Sequence, residues 1–180
     1  METETFKSFD NADIFYRVWN YNPSQKTIVI LHRGHEHSGR LQAFAENEQF
    51  VHFNIFGFDM RGLGHTSQSV SPHFMDYVRD LDAFVKYLYE QYGIVERDIF
   101  APRIAGMALL APAFTIKLYV PFAKTGIALA ARLFKHLTVP SYVKSKVLTH
   151  DVEQQKAYDT DPLITREIDA HYLLDLLKAG

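Results

Sequence analysis

Residues 28–40 read I-V-I-L-H-R-G-H-E-H-S-G-R, and the break in character at His32 decides the fold class. The first four residues are apolar and mostly β-branched, the composition of a strand buried on both faces. From His32 the chain turns polar and meets glycine, so a strand runs into a loop. In an open α/β sheet ligands sit in the crevice outside the carboxyl ends of the strands. His32, Gly34, His35, Glu36, His37 and Ser38 therefore gather where such a fold does its chemistry.

The neighbouring segments extend this reading. Residues 5–9 and 13–19 alternate as two strands, with Asp10-Asn11 supplying turn chemistry, and predict an antiparallel hairpin at the sheet edge. Residues 26–31 form the first central strand, 41–50 a helix returning across the sheet, and 52–59 a second buried strand. Ser71-Pro72 is a helix start, a serine cap with proline in the first turn. Apolar residues recur at three- and four-residue spacing from Met75 to Leu88, predicting one long amphipathic helix that closes near Gly93.

Four stretches carry a family resemblance: the loop H-R-G-H-E-H-S-G-R at 32–40, F-D-M-R-G-L-G-H-T-S at 58–67, D-Y-V-R-D-L-D-A-F-V at 76–85 and L-L-A-P-A-F at 109–114. Together they resemble the lysophospholipase and monoglyceride-lipase branch of the α/β-hydrolases, grouped as serine aminopeptidase-like hydrolases. The resemblance covers most of the chain. It implies an α/β fold, here an incomplete α/β-hydrolase: a mainly parallel sheet with flanking helices and a helical cap. It divides the chain into a truncated core at 1–113 and a cap region at 114–180. It also implies hydrolysis of a lysophospholipid or monoacylglycerol ester by a serine, histidine and acid, with no cofactor. Some bacterial relatives carry a fused methyltransferase, so a fused or separate methyltransferase domain is a partner the resemblance suggests.

One junction departs from that pattern. The segment D-I-F at 98–100 resembles the start of the strand that climbs to the nucleophile elbow, and A-P-R-I-A-G at 101–106 resembles the strand after the next helix. Here the two are joined directly. Adjacent parallel strands need a crossover of a dozen or more residues. Only Ala101, Pro102 and Arg103 separate Phe100 from Ile104, so the stub and the following strand are expected to merge. No G-x-S-x-G or relaxed version of it occurs among the eight serines. Ser38 is the nearest candidate nucleophile, but a cap for the following helix is the favoured reading. The resemblance places the triad acid and histidine on strands beyond Gly180. The chain alone is expected to be inactive as an esterase, with a non-catalytic lipid- or partner-binding module as the alternative.

By resemblance, Gly34 matches the position whose backbone N–H donates to the oxyanion, a task suited to a permissive backbone. A glycine needed only for the turn remains open beside that reading. His32, His35, Glu36 and His37 are expected to support the loop by hydrogen bonding, and Asp59 and Arg61 to act as a bracing pair. Three histidines spaced three and two residues apart on an extended loop, with no further cluster in the sequence, are not expected to converge on one ion, so no metal site is expected.

Composition bounds the setting. A net charge of −2 gives no reason to expect nucleic acid, and the absence of cysteine fits a cytoplasmic protein. Residues 114–150 hold six lysines and arginines and no acid, read as helices broken at Pro121, Gly126 and Pro140, with further cap helices at 152–158 and 169–178. Such a cap could line an acyl pocket and touch an anionic membrane, though ordinary packing with snorkelling lysines is the favoured account.

Overall fold

A computed structural model describes residues 1–66, 72–94, 122–134, 137–141 and 143–179. Four strands form the main sheet: β1 (Glu2–Lys7), β2 (Asp13–Asn20), β3 (Lys26–Leu31) and β4 (Phe53–Phe58), in the order β1-β2-β4-β3. The β1–β2 and β2–β4 pairings are antiparallel and β3–β4 is parallel, so the described sheet is mixed. The hairpin turn takes Ser8 and Phe9 as well as Asp10-Asn11, with Asn11 at φ 65° and the Ser8 N–H donating to Ala12 O at 2.9 Å.

The two central strands differ in burial among the described residues. The strand buried on both faces is β4, flanked by β2 and β3, whose Asn54 to Phe58 are all buried. Among the described residues β3 stands at the end of the sheet, and its apolar run is only half-buried. A run of Ile and Val reports strand propensity, whereas neighbours on both sides are a property of the assembled sheet.

Helix α2 (Phe74–Tyr92) lies across one face and closes at Gly93 in the left-handed conformation, φ 62°. Its entry is set by Asp76, whose carboxylate accepts the His73 N–H at 2.9 Å, with His73 as the cap residue; Ser71 lies outside the described residues. The core forms where α2 meets the sheet: Phe84 packs on the rings of Phe6, Tyr16 and Phe58 at 4.8, 5.4 and 5.0 Å between centroids. The helix expected at 41–50 is broken into 3-10 turns at Ser38–Leu41 and Glu48–Phe50 around the single turn α1 (Gln42–Ala45). Asn47 interrupts it by taking an extended backbone and accepting the Gln49 N–H at 3.0 Å, the local bonding that makes asparagine a poor helix interior.

Beyond residue 121 come α3 (Ala123–Leu133), β5 (Thr138–Pro140), α4 (Ser145–Leu148), α5 (Val152–Thr160), β6 (Glu167–Asp169) and α6 (Ala170–Ala179). Helix α3 runs straight through Gly126, where a break was expected; an exposed helical glycine costs only about 1 kcal/mol against alanine. The antiparallel pair β5–β6 was not foreseen, because three-residue strands carry almost no periodicity. Helix α6 packs on α3 and reaches α2, where His73 Nδ1 lies 2.9 Å from Asp175 and Tyr77 meets the Tyr172 ring. The junction at 98–106 and the division at 113/114 lie outside the described residues. Among the described residues no helix is long and apolar enough to cross a membrane.

Truncating Phe84 to alanine empties the centre of this aromatic cluster, and the expected cost is about 3–5 kcal/mol. Tyr89→Ala, on the exposed face of the same helix, should stay within about 0.5 kcal/mol of the parent. Urea unfolding of the two variants against the parent checks both values.

Candidate functional site at the 32–40 loop

The loop leaves β3 through a β-turn at residues 33–36, closed by the Glu36 N–H donating to Arg33 O at 3.2 Å. Its third residue, His35, has φ 71°, the left-handed backbone that a type II turn demands. Strain therefore falls on His35 and not on the glycine before it. At Gly34 an added Cβ would meet nothing within 4 Å, and the residue is exposed. Packing does not require glycine there.

Each histidine of the loop takes a separate partner. His32 is buried, accepts the Met60 N–H on Nε2 at 2.9 Å and donates from Nδ1 to Arg33 O at 2.8 Å. Burial depresses its pKa, so the ring stays neutral and can serve as acceptor and donor at once. His35 reaches the cap region: its carbonyl accepts the Thr165 N–H at 2.9 Å, and Nε2 lies 3.2 Å from Ser141 Oγ. His37 Nε2 meets Asp161 Oδ2 at 2.9 Å, while its buried Nδ1 has no hydrogen-bond partner among the described residues. Glu36 is buried and takes the Arg33 guanidinium on both oxygens, at 2.7 and 3.3 Å. Among the described residues no three His, Asp or Glu side chains converge on a point that could hold a metal ion.

Underneath lies Asp59, fully buried at the exit of β4. Its Oδ1 accepts both the backbone N–H of Ser38, at 2.6 Å, and the Ser38 hydroxyl. Its Oδ2 accepts the His65 N–H at 2.8 Å. Burial by itself would raise this carboxyl's pKa. The His65 N–H, the Ser38 hydroxyl and N–H, and the nearby Arg17 guanidinium together outweigh burial and hold the pKa below the usual range. Ser38 is thereby accounted for: it is fully buried, and its hydroxyl is shared between Asp59 and the Arg17 guanidinium at 3.0 Å. It does not cap the following turn, because His37 occupies the cap position.

Asp59 and Arg61 do not pair with each other. Arg61 turns the other way, clamping Asp80 of α2 through Nε at 2.7 Å and Asp10 of the hairpin turn at 2.8 Å. Ser8 donates to the same Asp80 carboxylate. These two carboxylates were not readable locally, since Asp10 and Asp80 lie 51 and 19 residues from Arg61 in sequence. Asp161, Ser141 and Thr165 were missed for a related reason: they lie more than 100 residues from the loop and belong to no motif. Arg17 is the one omission with a signal, a basic residue inside an otherwise apolar strand.

The serine–histidine contact of Ser141 and His35 resembles a nucleophile–base pair only in part. Ser141 Oγ also accepts the Val143 N–H at 3.2 Å, and no carboxylate is bonded to the second ring nitrogen of His35 among the described residues. A triad needs that third group to hold the base in one tautomer. The contact fastens the cap region to the loop.

Gly64 shows how tightly Asp59 is enclosed: at φ +57°, an added Cβ would land on the Asp59 carboxylate and 2.7 Å from His37 Cβ. Gly62, at φ +78°, has open space around it. Gly62→Ala should therefore cost only the left-handed penalty, about 1–2 kcal/mol, and Gly64→Ala distinctly more; thermal unfolding of the two variants gives the comparison. The depressed pKa of Asp59 has a second consequence. Its contribution is complete above the unfolded value near 3.9 and disappears as the pH falls through the lower folded value. Asp59→Asn should lower stability at neutral pH and flatten the acid limb of the stability–pH curve, measured by urea unfolding.

The chain is similar to known proteins in sequence and in fold. The profile of the serine aminopeptidase S33 family matches residues 22–102 and 99–180, two segments that meet within 99–102. The chain is 38% identical, over 197 aligned residues, to the Uncharacterized protein YnbC of Escherichia coli (strain K12); the match takes in 97% of this chain and 34% of that protein. The alignment is longer than the chain, so it opens gaps in it. Monoglyceride lipase of Homo sapiens is 26% identical over 182 residues, 87% of this chain and 59% of that one. The chain thus spans about a third of YnbC and under two thirds of the human lipase. The crystal structure of Paleococcus ferrophilus monoacylglycerol lipase superposes with a TM-score of 0.72 over 92% of this chain and 69% of that one, at 17% identity, a likeness of fold. With the four-strand order, the loop after β3 and a profile match over most of its length, this chain belongs to the serine aminopeptidase S33 family of α/β-hydrolases.

Proposed function

We propose that the chain descends from hydrolases of lysophospholipids or monoacylglycerols and is itself silent as an esterase, keeping half of an oxyanion site without a nucleophile. The observation that carries this is the family match, which passes from one segment to the next within 99–102. That is where the resemblance requires the end of a strand, a serine on a tight elbow and the start of a helix. Four residues cannot hold all three.

The geometry supports the retained half. Gly34 is exposed and the space where a Cβ would stand is open, which suits a backbone donor to a carbonyl oxygen. His32, His35, Glu36, His37 and Asp59 hold the loop in shape through the bonds described above, and Arg61 holds the floor of β4 against α2. None of them offers a nucleophile: Ser38 is committed to Asp59, and Ser141 faces a histidine without an orienting acid. Lack of cysteine supports a cytoplasmic setting. The two thirds of YnbC outside the match leave room for a further domain in relatives, a methyltransferase on this reading.

A second reading, lipid-surface binding by the cap, rests on a separate observation. Phe122, Leu129, Leu133 and Phe134 are 87%, 63%, 73% and 59% exposed around α3, beside exposed Lys124 and Arg132. Apolar side chains next to cations suit an anionic bilayer surface. Lys117 lies outside the described residues.

The purified chain should hydrolyse p-nitrophenyl butyrate no faster than buffer and take no label from a fluorophosphonate. Labelling that Ser141→Ala removes would overturn the proposal and make the His35–Ser141 pair catalytic. For the second reading, sedimentation with vesicles should show binding to phosphatidylcholine–phosphatidylserine mixtures that the Lys124→Gln/Arg132→Gln double variant weakens. Equal binding by parent and double variant would dismiss it.

A further inference from the structure

A cavity of about 130 Å³ opens where the loop faces α4 and α5, lined by Arg33 and Arg40 on one side and Ser145, Thr149, Gln154 and Tyr158 on the other. Its size is close to a cavity of roughly 150 Å³ that holds a benzene, well under the several hundred Å³ of a drug-sized pocket. It has room for one compact group and not for an acyl chain.

Its chemistry is that of an anion site. Arg33 is neutralised by Glu36, but Arg40 forms no ion pair among the described residues; its guanidinium lies over the Tyr158 ring at 5.9 Å from the centroid. Tyr158 is 3% exposed and presents its ring to the guanidiniums of both Arg40 and Arg166, the latter 5.1 Å from the centroid. Burial raises its pKa, so the phenol keeps its proton and remains a donor. The Thr149 hydroxyl and Gln154 amide add donors on the far wall. Of the acids nearby, Glu36 takes Arg33, Asp159 takes the Ser145 hydroxyl at 2.9 Å with Arg166 at 3.9 Å, and Asp161, which feels the charge of Arg40, takes His37 Nε2 at 2.9 Å. A half-buried guanidinium with no ion pair among the described residues, facing a cavity with hydroxyl and amide groups on its other wall, suits a ligand with several acceptor oxygens and negative charge.

We propose that this cavity between the 32–40 loop and α4–α5 binds a phosphoryl group, with Arg40 as its charge partner and Tyr158 as a neutral donor. The inference goes beyond the proposed function, because a phosphoryl site stands whether or not the chain cleaves an ester. It also separates two ligand classes that share the acyl-glycerol part: a lysophospholipid carries the phosphate and a monoacylglycerol does not.

Isothermal titration of the full chain with inorganic phosphate, glycerol 3-phosphate, a short-chain lysophosphatidate below its micelle concentration and the matching monoacylglycerol tests it. The phosphoryl compounds should bind, and Arg40→Gln should weaken each at least tenfold, with Arg40→Lys in between. Gln154→Glu lies on the exposed face of α5, away from the loop's hydrogen bonds, and should weaken binding similarly by setting a negative charge in the cavity. Lysophosphatidate tighter than phosphate by tenfold or more identifies a lipid headgroup, and equal affinities identify free phosphate; both support the site. No phosphoryl binding at millimolar concentrations, or binding unchanged in both Arg40→Gln and Gln154→Glu, would overturn it. Esterase activity would overturn the proposed function and leave this result standing.

Discussion

A single buried carboxylate organises the chemistry-bearing part of this protein. Asp59 has no exposure to solvent, so its charge is tolerable only while every lone pair is met. Ser38 meets one oxygen with two donors, His65 meets the other, and Arg17 supplies the nearest positive charge, 3.9 Å away. Those donors come from the loop after β3, the turn after β4 and strand β2. Desolvation thus forces three separate segments into one arrangement, because any of them leaving would strand a bare charge in the interior. Gly64 is the steric counterpart, allowing the turn to press against the carboxylate.

Above that anchor the loop is held from the opposite side by the cap region. Thr165 donates to the carbonyl of His35, the one loop residue in left-handed conformation, and Asp161 accepts from His37. Both ties reach across more than 120 positions of sequence. They give the residues after 140 a role in shaping the loop that does not depend on catalysis. Residues beyond 140 also form the far wall of the cavity that Arg40 faces.

A second ionic junction, built on Arg61, is independent of the first. It joins β4's exit to α2 and to the hairpin turn through Asp80 and Asp10, over the Phe9 ring at 5.0 Å. The two junctions stand two residues apart yet face different ways, because β4 ends at Phe58 and Arg61 already lies in the turn closed by the Leu63 N–H donating to Met60 O at 2.9 Å, where the alternation of an extended chain no longer holds. That is why a motif reading F-D-M-R-G, in which acid and base sit almost side by side, does not describe an ion pair.

The sequence by itself determined four strands before residue 60 (the first read at 5–9, where the structure has Glu2–Lys7), the long helix closing at Gly93, the loop after β3 and the family, because each rests on local periodicity, turn chemistry or a contiguous motif. It also determined that no serine stands on a glycine-flanked elbow, since that is a matter of spelling. Only the tertiary structure decided that, among the described residues, β4 has a strand on each side and β3 on one, that Asp59 and Arg61 part company, that Ser38 is consumed by Asp59, and that His35 rather than Gly34 bears the left-handed backbone. Each of these depends on which side chains a folded neighbour leaves available. Hydrogen-bond partners and burial are settled by packing between distant segments, and no window of sequence contains both halves of such a contact.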